Sequence, residues 1–161
     1  MDLRIITPDD AEATRKIYNI EVMTSTATFD LRPRGQAEHE RWVEAHLGAH
    51  PAVVAVEGTV VTGFAAISPY RARPAYATTV EDSVYVAAGW RGRGLGAVLL
   101  ADVLRRATEH GFHTVMARVE ATNAASVHIH ERCGFDVVGT ERQIGRKFGR
   151  WLDVTVLQKL L

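Results

Sequence analysis

Apolar and polar positions change period several times along the chain, and each change marks an element. Leu3 to Ile6 is a short apolar run that predicts a strand. Thr7-Pro8-Asp9-Asp10 then supplies an N-cap, a proline at the first helical position and an acid at the capping-box position. A helix is expected to begin there, supported by Ile17 and Tyr18. Thr24, Thr26, Thr28 and Phe29 mark irregular or extended chain. His39, Trp42, Val43, His46 and Leu47 fall on one face of a second helix, which Pro51 closes. Ala52 to Val56 and Val60 to Ile67 are β-branched runs joined by Glu57-Gly58-Thr59, the pattern of a hairpin with glycine in its turn.

Tyr70 to Ala77 is a polar, arginine-bearing connection, and Thr79 to Val86 predicts the strand that follows it. Leu95, Val98, Leu99 and Val103 recur at helical spacing until Gly111, placed where a left-handed helix cap is expected. Thr114 to Val119 predicts another strand, Ala124 to Arg132 a helix stopped by Gly134, and Phe135 to Gly139 and Leu152 to Leu157 the closing strands. No internal repeat, linker or low-complexity tract interrupts this mixed α/β order.

With 161 residues, 47% of them hydrophobic, the chain suits one domain able to bury a core without disulfides or a metal. Lys plus Arg and Asp plus Glu both number 19, so no global field exists to hold nucleic acid or an anionic membrane. An anionic ligand must be met locally. One cysteine cannot form an internal disulfide, no apolar run is long enough to span a membrane, and the charged N-terminus is unlike a signal peptide. A soluble cytoplasmic protein is expected.

The local anion site is Arg91-Gly92-Arg93-Gly94-Leu95-Gly96, between a strand and a helix. Backbone N–H groups there can converge on one anion, and the helix dipole adds positive potential. Glycines at 92, 94 and 96 remove the Cβ atoms that would hold a pyrophosphate off, and Arg91 and Arg93 add charge. A plain turn with a helix cap is the alternative reading. A dinucleotide fold would place its glycine loop after the first strand and repeat βαβ units, and neither holds here. A Walker loop, with Lys followed by Ser or Thr, is also absent.

Arg91, Gly94 and Gly96 match the Arg/Gln-x-x-Gly-x-Gly/Ala acyl-CoA loop, and the chain resembles the GNAT acetyltransferase superfamily over nearly its full length. Tyr76, the run Thr79 to Val86, Asn123 to Ser126, His130 to Phe135 and Lys147 to Asp153 are more specific still. They resemble the phosphinothricin and methionine sulfoximine acetyltransferase branch. The resemblance implies the GNAT fold, a mixed and mostly antiparallel central sheet with helices on both faces. It also implies acetyl-CoA as co-substrate, with no metal. In it, pantetheine adds to a splayed sheet edge through backbone groups of Val84, Tyr85 and Val86. Gly92, Arg93, Gly94, Leu95, Gly96 and Ala97 hold the pyrophosphate, and Asn123 and Ser126 lie further along the pantetheine.

An ammonium cannot attack a thioester until it loses a proton, so such a site needs a base near the acceptor nitrogen. The resemblance assigns that role to Glu81, acting through water, and assigns polarisation of the thioester carbonyl to a backbone N–H of the same strand. A solvated strand carboxylate is the alternative for Glu81. Asp82 should face the other side of the strand. His130 stands where many GNAT enzymes carry the tyrosine that protonates the leaving thiolate. It is read either as that general acid or as a packed helix histidine. His128, two residues away, lies on a different helix face, which makes the pair a poor metal site. Cys133 beside Gly134 reads as a small buried residue, since no base partner is identified. Trp42, Trp90 and Trp151 read as core or rim aromatics, with only Trp151 in a motif context.

For the acceptor, the resemblance points to the segment Arg71, Ala72 and Arg73, whose guanidiniums could grip a carboxylate or phosphinate. Asp82 and Ser83 belong to the same set, and Phe29 and Tyr76 offer apolar walls for a methionine-like side chain. Solvated loop arginines are the alternative. Lys147 and Phe148 fall in a late loop that lies near the site in that family, on which basis a homodimer is expected. The expected activity is acetylation of the α-amine of a small amino-acid analogue. Acetylation of protein N-termini or another amine, or CoA binding without turnover, are the rivals.

Overall fold

A computed structural model describes residues Met1–Leu161. The strands are β1 (Asp2–Ile5), β2 (Ala52–Glu57), β3 (Val60–Pro69), β4 (Thr79–Val86), β5 (Thr114–Glu120), β6 (Asp136–Lys147) and β7 (Arg150–Leu160). The helices are α1 (Ala11–Thr24), α2 (Gln36–Ala45), α3 (Leu95–Glu109) and α4 (Ala124–Arg132). All seven strands form one sheet in the order β1-β2-β3-β4-β5-β7-β6, and only the β4–β5 pair is parallel.

Alternation along the central strands splits the core in two. Val53, Ala55, Ala65, Ile67, Val80 and Val115 face α3, whose Leu95, Leu99, Leu100, Val103 and Leu104 form its apolar stripe. Ala52, Val54, Phe64 and Ala66 face the opposite way, against Ile17, Tyr18 and Val22 of α1 and Val43 of α2. The sheet therefore carries helices on both faces, as the GNAT resemblance implies.

The helix ends follow the expected residues. Thr7 N–H donates to Asp10 Oδ2 at 2.8 Å, and Arg4 forks onto the same carboxylate at 2.7 and 2.8 Å. The chain takes one 3-10 turn over Pro8–Asp10 before α1 proper. Gly111 and Gly134 adopt φ of 82° and 88° directly after α3 and α4. Phe112 N–H then reaches Ala107 O, and Phe135 N–H reaches His130 O, closing both helices with Schellman bonds. On α2, His39 is fully buried and its Nε2 lies 2.9 Å from Thr14 Oγ1 of α1. Burial pushes its pKa down to about 4, so the ring is neutral at physiological pH.

Two elements differ from the sequence-based expectation. Helix α2 ends at Ala45, and Leu47, expected on its apolar face, is exposed. The closing strands are much longer than Phe135–Gly139 and Leu152–Leu157. Strand β6 is an edge strand with mostly exposed residues, so it needs no apolar alternation, and its register slips at Val137/Gly139 and Glu141/Gly145. Pairing with β7 holds it instead. The two strands join at Phe148 and Gly149, with φ of 51° and 72°, both left-handed as a tight hairpin turn demands.

Candidate active site

Strands β4 and β5 pair only from Thr79↔Thr114 to Glu81↔Met116, although β4 continues to Val86 and β5 to Glu120. Beyond Glu81 the strands part, while β4 stays paired with β3 as far as Val86↔Gly63. One edge of β4 is thus open along Asp82 to Val86, a row of backbone groups awaiting a partner.

Two cavities meet in this gap. The first, about 280 Å³, is walled by Glu81 to Tyr85 of β4, Ala117 to Glu120 of β5, Ala27 to Phe29 of the α1–α2 connection, Val154, and Asn123, Ser126 and His130 around α4. The second, about 650 Å³, runs along Val84 to Val86 to Arg91, Gly92 and Gly94 to Ala97. Val84, Tyr85, Asn123, Ser126 and His130 line both, so the cavities are lobes of one cleft.

At the far end of the second lobe, Gly92 and Gly94 have φ of 73° and 79°, and nothing lies within 4 Å of where a Cβ would sit on either. The N–H groups of Gly92 to Gly96 make no backbone hydrogen bond. An anion placed there would meet open donors at the start of a fifteen-residue helix. The two arginines behave differently from expectation. Arg91, half exposed at the second lobe, is tethered at both ends of its guanidinium: its Nε donates to Val86 O at 3.0 Å and its Nη2 pairs with Glu21, which is 6% exposed and also accepts from Ser25 Oγ at 2.6 Å. It anchors the loop to α1. Arg93 lies over the Trp90 ring and lines neither lobe.

Glu81 sits in the first lobe, where burial raises its pKa above the ordinary 4.5 while the Arg118 guanidinium opposes the rise. Asp82 points to the other face and meets α4: its Oδ2 lies 2.9 Å from His130 Nε2. His130 Nδ1 is 2.7 Å from Ser126 O, which can only accept, so that nitrogen carries a hydrogen. Burial disfavours the charged ring, but Asp82 and the Ser126 carbonyl outweigh it and raise the His130 pKa above 6.5. Both ring nitrogens are therefore engaged. That geometry favours the packed helix histidine over the general acid, while His130 still lines both lobes.

Asn123 caps α4 by accepting from Ser126 N–H at 3.2 Å while facing both lobes. The Tyr85 ring is packed edge-on to Tyr18 and tilted against Phe64, so the backbone is the part of it that faces the gap. Phe29 walls the first lobe, where its ring covers Gly145 so closely that a Cβ there would collide with it. Arg71, Ala72, Arg73 and Tyr76, expected at the acceptor, line neither lobe, and Arg71 stacks instead over the rings of Tyr70 and Tyr76. Cys133 also lies outside both lobes, its thiol pushed up by burial.

Sequence reasoning missed Arg118, Glu120, Glu21 and Thr28. Arg118 and Glu120 stand at alternate positions of an otherwise apolar strand, and Glu21 interrupts the apolar face of α1 beside Val22. Charges at such positions were the available sign for these three, and Thr28 in its irregular segment offered none.

This fold and cleft define an acetyltransferase class, and the chain belongs to the acetyltransferase (GNAT) family, whose model matches residues 14–135. It is similar to the phosphinothricin N-acetyltransferase of Streptomyces coelicolor, 39% identical over 157 residues, 95% of this chain and 92% of that protein. The L-methionine sulfoximine/L-methionine sulfone acetyltransferase of Salmonella typhimurium is 38% identical over 159 residues, covering 98% and 93%. A phosphinothricin acetyltransferase from Sinorhizobium meliloti, solved in complex with acetyl-CoA, superposes with a TM-score of 0.96 at 33% identity, covering 99% of this chain and 88% of that one.

Proposed function

We propose that this chain transfers the acetyl group of acetyl-CoA to the α-amine of a small amino-acid-like acceptor, of the phosphinothricin, methionine sulfoximine or methionine sulfone type. The observation that carries this reading is the parting of β4 from β5 beside Glu81, continuous with the glycine loop at the start of α3. The residues present suit acetyl-CoA: free N–H groups of Gly92 to Gly96 for the pyrophosphate, and the open edge at Val84 to Val86, with Asn123 and Ser126, for pantetheine. Acetyl-CoA supplies the activated acyl group.

The protein's own residues do the rest. Glu81 removes a proton from the acceptor ammonium, directly or through one water, and its half-buried position favours that exchange near neutral pH. The walls of the first lobe hold the amine while excluding bulk water. Among them, Phe29 provides an apolar surface and Ser83 a hydroxyl. Asp82 and His130 act as a fixed strut between β4 and α4. Cys133, outside the cleft with a raised pKa, is unsuited as a nucleophile, which favours direct transfer with both substrates bound. The small first lobe suits an amino acid better than a folded protein terminus.

The chain acts as a homodimer in this reading. Ile144, Phe148 and Trp151 expose 55%, 55% and 60% of their surface around the β6–β7 turn, beside the open outer edge of β6. Lys147 fixes that turn to the α1–α2 connection through Thr28 O at 2.8 Å, so a second copy docking there would abut the acceptor lobe.

The test is thiol release from acetyl-CoA across amino acids, their sulfone, sulfoximine and phosphinic analogues, simple amines and short peptides. Turnover should concentrate on the amino-acid analogues, with acetylation at the α-nitrogen. Preference for peptides would move the assignment to N-terminal acetylation, and tight CoA binding without turnover would make the chain a binding module.

A further inference from the structure

An α-amino acid carries its carboxylate on the same carbon as the amine, so a base at the amine requires a cation within a few ångströms of it. The wall of the acceptor lobe is formed in part by three acidic residues, Glu81, Asp82 and Glu120, and by a single lysine or arginine, Arg118. Asp82 is engaged by His130, and Glu120 accepts from Thr122 N–H at 3.1 Å and Thr26 Oγ1 at 3.3 Å. Without Arg118 the lobe would repel the anionic end of any such acceptor.

The register places Arg118 on the right face. Glu81 pairs with Met116, and Arg118 lies two residues beyond Met116, so its side chain emerges on the Glu81 side of the sheet. Its guanidinium crosses β7 and is held bidentately by Glu141 of β6, with Nη2 2.8 Å from Oε2. Val154, opposite Glu141 on β7, walls the same lobe. The fork onto Glu141 uses one edge of the guanidinium and leaves its other N–H groups for a second acceptor. The head is thus fixed before any ligand arrives, which reduces the entropy lost on binding. Arg71, by contrast, is stacked on two tyrosines outside the lobe.

We infer that Arg118, held in place by Glu141, receives the α-carboxylate of the acceptor and sets the preference for amino acids over simple amines. This rests on the amino-acid reading above. The test compares L-methionine sulfone with its decarboxylated counterpart, 3-(methylsulfonyl)propan-1-amine, on the wild type, Arg118→Met and Arg118→Lys. The wild type should favour the amino acid. In Arg118→Met, assayed above the acid limb of Glu81 so that its changed ionisation does not enter, kcat/KM for the amino acid should fall roughly 10- to 100-fold, mostly through KM, and about tenfold or more beyond any fall for the decarboxylated amine. Arg118→Lys should fall between, keeping charge without the fork.

Turnover of the decarboxylated amine by Arg118→Met also reports that the variant is folded. Equal losses on both substrates, or no loss on either, would overturn the assignment of Arg118 while leaving acetyl transfer intact. A matching loss in Arg71→Ala but not in Arg118→Met would move the carboxylate contact to the β3–β4 connection and overturn it too. A wild type that acetylates neither substrate overturns the amino-acid reading, and the carboxylate receiver with it.

Discussion

Glu81→Gln should lower kcat by roughly 10²- to 10⁴-fold, the usual contribution of a positioned general base, with little change in the KM for acetyl-CoA. Glutamine keeps the shape of the side chain and cannot take a proton, so the loss isolates the base. The pH profile gives the sharper signature. Burial raises the Glu81 pKa above 4.5, and only the carboxylate is the base, so the rate should fall as pH drops through that raised value. The acid limb therefore lies at higher pH than a solvated glutamate would give, and it should vanish in the variant. Full activity of Glu81→Gln at neutral pH would remove Glu81 from the chemistry.

His130→Ala should cost about 3–5 kcal/mol of stability, measured by denaturant unfolding, because it strands a buried carboxylate. The side chains of His130 and Asp82 are 5% and 1% exposed, and Asp82 Oδ1 already has no partner. The sign with pH follows from the raised His130 pKa: the contribution is fully present below 6.5 and is lost as pH rises through the folded-state value. Asp82→Asn combined with His130→Ala should cost less than the two single losses added together. Were His130 also a proton donor to the thiolate, the folded fraction of the variant would show a lowered kcat in addition to the stability loss.

What was legible in the sequence was local. The glycines of the loop, the strand carrying Glu81 and the helix-stopping Gly111 and Gly134 each act through their own stretch of backbone, so residue type and spacing suffice. The mixed α/β element order followed for the same reason, while the arrangement of the sheet came from the family resemblance. Contacts made across the fold were not legible. Arg91 finds Glu21 seventy positions away and is spent on anchoring the loop. His130 of α4 finds Asp82 of β4, forty-eight positions away, a buried pair that residue spacing does not reveal. Strand β6 hid because an edge strand is stabilised by its neighbour's backbone and shows no apolar alternation. Arg118 hid because its partner Glu141 lies two strands across the sheet, a relation set only once β7 inserts between them.

In the proposed function, acyl donor and amine meet in the gap between β4 and β5. A conjugate joining the CoA sulfur through an acetyl spacer to the α-nitrogen of methionine sulfone spans both lobes, and titration calorimetry measures its Kd against that of CoA. The conjugate should bind at least about 100-fold tighter than CoA, since the second contact becomes intramolecular. Equal affinity for the two would contradict a shared cleft.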